Sequence, residues 1–143
     1  MAETRGNQGH CLCGAIKIMA AEMSPHVGAC HCGMCRRWTG GPLLAVDCGS
    51  DVSFDGEESI SIYGSSTWAE RGFCRKCGSH LFYRLKETQQ YFVPVGLFEE
   101  CAGIVFDHQV FVDRKPDYYS FANETRNLTE AEVFAKYAPP AGA

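Results

Sequence analysis

The chain has 143 residues, 45% hydrophobic and 21% charged, which excludes an intrinsically disordered chain and fits one globular domain over residues 1–143. Its 13 basic and 17 acidic residues give a formal charge of −4, poorly matched to a nucleic-acid backbone, and zinc-bound thiolates would make it more negative still. No apolar run approaches the ~20 residues of a membrane span, and Met1 to Gly9 lacks the apolar stretch of a signal peptide. The expectation is a cytoplasmic protein with no membrane partner.

Read in order, the chain is a series of short apolar runs broken by Gly, Pro, Asp and Ser, the texture of a mainly β fold. Residues 15–20 alternate, with Ile16 and Ile18 on one face and Lys17 on the other. Gly40-Gly41-Pro42 punctuates before a strand at 43–46. Asp55-Gly56 marks a turn, and 59–63 alternates with Ile60 and Ile62 on one face. Further strands are expected at 68–73, 80–85, 91–95, 104–106 and 110–112. A single short helix is expected near the C-terminus. Thr129 and Glu132 fit a capping box there, and Pro139-Pro140 ends the helix, leaving a loose tail at 139–143.

Nine cysteines is a high and odd count. In a reducing compartment, clustered cysteines bind metal or do chemistry more often than they pair as disulfides. Cys11-Leu12-Cys13-Gly14 precedes a strand, and Cys74-Arg75-Lys76-Cys77-Gly78 lies between two. A structural Zn²⁺ takes four thiolates in a tetrahedron. Each pair supplies two, and the glycine that follows allows the tight turn that brings amides to the sulfurs. The two pairs read as halves of one zinc-ribbon site; the competing reading is two redox dithiols.

Cys30, Cys32 and Cys35 fall within six residues, too close for a comfortable disulfide pattern. They suit three ligands on one metal with the fourth position open, the mark of a catalytic zinc. The alternative is a second structural site completed by Cys48, Cys101 or a histidine. His31 lies between two of these ligands. In an extended C-x-C its side chain points away from the metal, so it reads as a packing residue or a support for the ligands. Cys48 and Cys101 read as buried or idle thiols. Arg36, Arg37 and Trp38 follow the loop and read either as an edge for an anionic thiol peptide or as solvated surface.

The ordered set G-H-C-L-C-G at 9–14, C-H-C-G-M-C-R at 30–36, F-C-R-K-C-G-S at 73–79 and His108 before Val110-Phe111-Val112 resembles the glutathione-dependent formaldehyde-activating enzyme (GFA, or CENP-V/GFA) family over about residues 9–119. The resemblance implies a mainly β, Mss4-like fold containing a zinc ribbon. It implies two Zn²⁺ per chain: a structural ion on Cys11, Cys13, Cys74 and Cys77, and a catalytic ion on Cys30, Cys32 and Cys35. It also implies a carbon–sulfur lyase-type reaction that joins glutathione to formaldehyde as S-hydroxymethylglutathione, which feeds formaldehyde detoxification. An open zinc position could hold a thiolate or polarise an aldehyde oxygen, and His31 and His108 are general-base candidates by type. The rival readings are a non-catalytic zinc module, a carrier of glutathione or a thiol adduct, and a lyase or hydrolase for another thiol adduct.

Overall fold

The computed structural model describes residues 4–136, and their extended segments sort into two sheets. In chain order the first half contains β1 (Arg5–His10), β2 (Lys17–Met23), β3 (His26–Cys30), α1 (Gly33–Thr39), β4 (Leu43–Asp47), β5 (Val52–Asp55) and β6 (Ile60–Tyr63). The second half contains β7 (Ala69–Cys74), β8 (His80–Leu85), β9 (Tyr91–Pro94), β10 (Val105–Val110), β11 (Arg126–Leu128) and α2 (Glu130–Lys136). Short 3₁₀ turns lie at Glu57–Ser59, Val95–Leu97 and Val112–Arg114.

The smaller sheet is antiparallel in the order β1-β2-β5. The larger runs β11-β10-β3-β4-β9-β8-β7-β6. Within it β10 is parallel to both β3 and β11, and every other pairing is antiparallel. The alternation at Ile16 and Ile18 does what period two requires: both side chains are buried, and they join Met23, Val46, Leu81, Phe82, Tyr91 and Val93 in one apolar cluster fed by both sheets. Phe54, Phe82 and Tyr91 meet with ring centroids 5.1–6.0 Å apart. Burying a side chain of this size is worth about 1.5–3 kcal/mol. Gly72 on β7 permits the packing, because a Cβ there would strike the Phe82 ring.

The C-terminal helix forms as its sequence expects. The Glu132 amide donates to Thr129 Oγ1 (3.2 Å), and the Thr129 amide donates to Glu132 Oε1 (2.8 Å), which is the reciprocal capping box. Pro139-Pro140 and the tail at 139–143 lie outside the described residues.

Three expectations are corrected. The C-terminal helix is not the only one: α1 rises from the three-cysteine loop, with Cys32 as its N-cap. Residues 110–112 are not a strand of their own. β10 ends at Val110, Phe111 takes a left-handed conformation (φ 57°), and a 3₁₀ turn follows. β1, β3, β5 and β11 also form without having been expected. β1 is almost wholly polar. Its ladder to β2 holds it, and so do Asn7 Nδ2 and Arg5 Nη2, which donate to the Glu100 carbonyl at 2.8 and 3.1 Å.

Candidate metal centres

The first centre is built by two turns that approach from opposite ends of the first 80 residues. Cys11 follows β1, and the Gly14 amide returns to the Cys11 carbonyl (3.1 Å). Cys74 ends β7, and the Gly78 amide returns to the Cys74 carbonyl (2.8 Å). Both glycines sit at φ near +80°, a conformation costly to side chains with a Cβ. The Leu12 amide donates to Ser79 Oγ at 3.0 Å, which stitches one turn to the other.

The sulfurs of Cys11, Cys13, Cys74 and Cys77 all lie within 4.8 Å of one another, with Cys11–Cys13 at 3.7 Å and Cys13–Cys74 at 3.8 Å. Tetrahedral Zn–S bonds of about 2.3 Å require sulfur–sulfur edges of about 3.8 Å, so the donor set fits zinc in both number and spacing. Amides and a hydroxyl support the thiolates. The Ile16 N–H donates to Cys11 Sγ at 3.4 Å. The Ser79 hydroxyl, then its amide, bring the Cys77 thiol down to about 5.

The second centre comes from one continuous segment. Cys30 ends β3, Cys32 caps α1, and Cys35 lies in the first helical turn. Their sulfurs also fall within 4.8 Å of one another, and among the described residues no fourth His, Cys, Asp or Glu joins them. The Cys35 amide donates to Cys32 Sγ at 3.4 Å. Bonds from the Cys30 thiol, then the Cys35 thiol, hold Cys32 down at about 2, while Cys30 is pushed well above the ordinary thiol range as their donor. Three cysteine sulfurs held this close are a donor set that a divalent cation would bind as thiolates.

Comparison with known proteins adds three findings. The family description "Glutathione-dependent formaldehyde-activating enzyme" matches residues 6–114. The chain belongs to this family. An uncharacterized lyase of Schizosaccharomyces pombe is 40% identical over 127 residues, which are 88% of this chain and 93% of that protein. A crystal structure of a Rhodobacter sphaeroides protein is 30% identical, covers 64% of this chain and 87% of its own, and superposes with a TM-score of 0.55.

Within this family member the structure brings together all seven cysteines expected from sequence, in the two groups expected. It leaves Cys48 buried in the core, its thiol pushed up to about 12 by that burial, and Cys101 exposed; neither joins a cluster. His31 is fully buried and turned from the sulfurs. Its Nε2 meets Gln109 Oε1 at 2.7 Å and its Nδ1 meets the Tyr119 hydroxyl at 2.6 Å. The Gln109 amide nitrogen donates onward to Thr125 (2.8 Å), so Oε1 is the atom that accepts from His31. This chain of bonds ties the cysteine loop to residues 109–125. His108 is also engaged elsewhere, with Nδ1 on Asp107 at 2.8 Å.

Sequence reasoning missed Arg71. It sits on β7, 3% exposed, with Nη1 and Nη2 at 3.8 and 3.7 Å from Cys35 Sγ. Its guanidinium lies over Tyr83 (4.9 Å to the centroid) and near Trp38 (5.7 Å). Trp38 in turn stacks on His80 at 4.8 Å. The one available signal was strand phase: Arg71 alternates with Ala69, which is buried.

Proposed function

We propose that the chain is a zinc-dependent lyase-type enzyme that joins glutathione to formaldehyde, giving S-hydroxymethylglutathione. One observation carries the reading: three sulfurs converge from Cys30, Cys32 and Cys35 without a fourth protein ligand among the described residues. Family membership and the lyase name of the fission-yeast relative support the reaction class. In this reading two ions are bound per chain, a structural one on Cys11, Cys13, Cys74 and Cys77 and a catalytic one on Cys30, Cys32 and Cys35. Residues 1–143 act as one domain in the cytoplasm, with no nucleic-acid or membrane partner. Among the described residues no helix is long and apolar enough to cross a membrane.

A zinc ion on the three thiolates supplies Lewis acidity, which favours the ionised form of a thiol and polarises an aldehyde oxygen. The rest falls to the protein. Two donors are fixed on the first turn of α1 and the third on β3, so the open side keeps one orientation. His31 locks the loop through Gln109 and Tyr119. In the reaction the thiol sulfur bonds to the aldehyde carbon, the carbonyl π pair moves to oxygen, and the thiol proton ends on that oxygen. His31 has both ring nitrogens engaged, which speaks against it as the base.

The test is exchange NMR on glutathione, formaldehyde and their adduct, with wild type and Cys32→Ala. Exchange faster than the uncatalysed rate, lost in Cys32→Ala, supports the enzyme. Thiol binding without acceleration indicates a carrier, and no thiol binding indicates a zinc module.

A further inference from the structure

Two arginines lie on neighbouring strands, Arg71 buried and Arg84 half-buried, and they are satisfied differently. Arg84 on β8 has conventional partners, the Glu70 carboxylate and the Tyr91 hydroxyl (2.8 Å). Arg71 on β7 has none of that kind. Among the described residues no carboxylate pairs with it, its Nε is buried without a partner, and its two terminal nitrogens reach only Cys35 Sγ. Aromatic rings cover the rest, with Tyr83 directly across the ladder.

A guanidinium does not lose its proton in a protein, and a buried charge needs an opposite one beside it. Here the opposite charge can come only from the cysteine cluster. Three thiolates around a divalent ion leave one excess negative charge, and a fourth thiolate leaves two. A neutral fourth ligand adds none. We propose that Arg71 is the charge-balancing residue of the three-cysteine centre, a buried cation that strengthens metal binding there and favours an anionic thiolate over a neutral ligand in the open position. The inference rests on the reading that Cys30, Cys32 and Cys35 hold a metal ion. Arg71 contacts the Cys35 sulfur and would act through it, so it is a positioning residue.

The test loads the full chain with Co²⁺ and measures each site's affinity by chelator competition, in wild type, Arg71→Met, Arg71→Gln and Arg71→Lys. Removing a group that supports a metal ligand typically costs 10- to 100-fold in metal affinity. That loss is expected at the three-cysteine site for the two neutral variants, with the four-cysteine site unchanged and Arg71→Lys within a few fold of wild type. The thiolate charge-transfer bands then report 2-mercaptoethanol and imidazole as fourth ligands. The neutral variants should lose thiol affinity by about tenfold or more and keep imidazole affinity. Wild-type metal affinity in a folded neutral variant, or equal losses for thiol and imidazole, overturns the proposal. If neither neutral variant folds, Arg71→Lys decides: near wild-type affinity supports charge balance, and a hundredfold loss refutes it. If wild type binds no thiol at all, the proposed reaction fails, and the metal affinities still decide the role of Arg71.

Discussion

Cys74 and Cys48 offer a controlled comparison, because both are fully buried free thiols in the same apolar cluster and only Cys74 belongs to a candidate metal centre. Cys48→Ala deletes one buried heavy atom and should cost about 1 kcal/mol, on the scale of Ile→Val. Cys74→Ala deletes the same atom and also opens the link between the two turns. The Cys13–Cys74 contact closes 61 residues of chain, and fixing a loop of that length removes about 4 kcal/mol of unfolded-state entropy. Structural zinc contributes roughly 10–16 kcal/mol in small domains, so the cost exceeds the loop term if the ion leaves with the ligand, set against a total stability of about 5–15 kcal/mol. Four kcal/mol corresponds to a fall in Tm on the order of 10 °C for a chain of this length. The assay is a thermal melt by circular dichroism for wild type and both variants, with zinc counted by a chromogenic chelator. Cys74→Ala is expected to melt at least ~10 °C below Cys48→Ala or to aggregate, and to retain one zinc or none. A Cys74→Ala protein that melts with Cys48→Ala and keeps both ions would refute the four-cysteine assignment.

A mild chelator should remove about one zinc per chain before the circular dichroism changes, because three ligands hold an ion less securely than four; loss of both ions in step with unfolding would show two structural sites. In the folded, metal-loaded protein an alkylating reagent should label exposed Cys101 first and Cys48 last, since burial both shields the Cys48 thiol and raises it to about 12; peptide mass spectrometry reads the order. Burial pushes Asp107 up, but its bonds to His108 and His26 outweigh this and leave its carboxyl below the usual value. Its stabilising contribution is thus full above the unfolded pKa of about 4 and disappears as pH falls through the folded value, so Asp107→Asn should flatten the acid limb of a stability-versus-pH curve measured in urea.

The two cysteine clusters were legible in the sequence because C-x-C and C-x-x-C are local geometries: residues two or three apart can share a metal whatever the rest of the chain does. The capping box at Thr129 and Glu132 is local in the same sense. What could not be read was set by distant neighbours. β3 (His26–Cys30) has only Val27 and Ala29 as small buried side chains, and it is a strand because β4 and β10 flank it. α1 is seven residues with glycine first and Trp38 and Thr39 near its end, too short and too poor in helix formers to show a 3.6 repeat. Its cap is a cysteine instead of one of the usual Ser, Thr, Asp or Asn. Arg71 meets Cys35 across 36 positions, a contact that no spacing rule encodes.

The parallel seating of β10 between β3 and β11 bears on how the protein is made. All the sulfurs of the four-cysteine cluster are present in sequence by Cys77, but the partners of His31 beside the other cluster, Gln109 and Tyr119, lie well downstream. Chains fold from the N-terminus as they emerge from the ribosome. Before residues 105–119 are made, the loop at Cys30 to Cys35 has neither the β10 edge nor the His31 bonds that hold it, while the four-cysteine cluster already has all its sulfurs. An order of closure follows: the two four-cysteine turns can meet while later segments are still being made, and the three-cysteine loop gains its β10 edge and its His31 bonds only when those later segments have closed against β3.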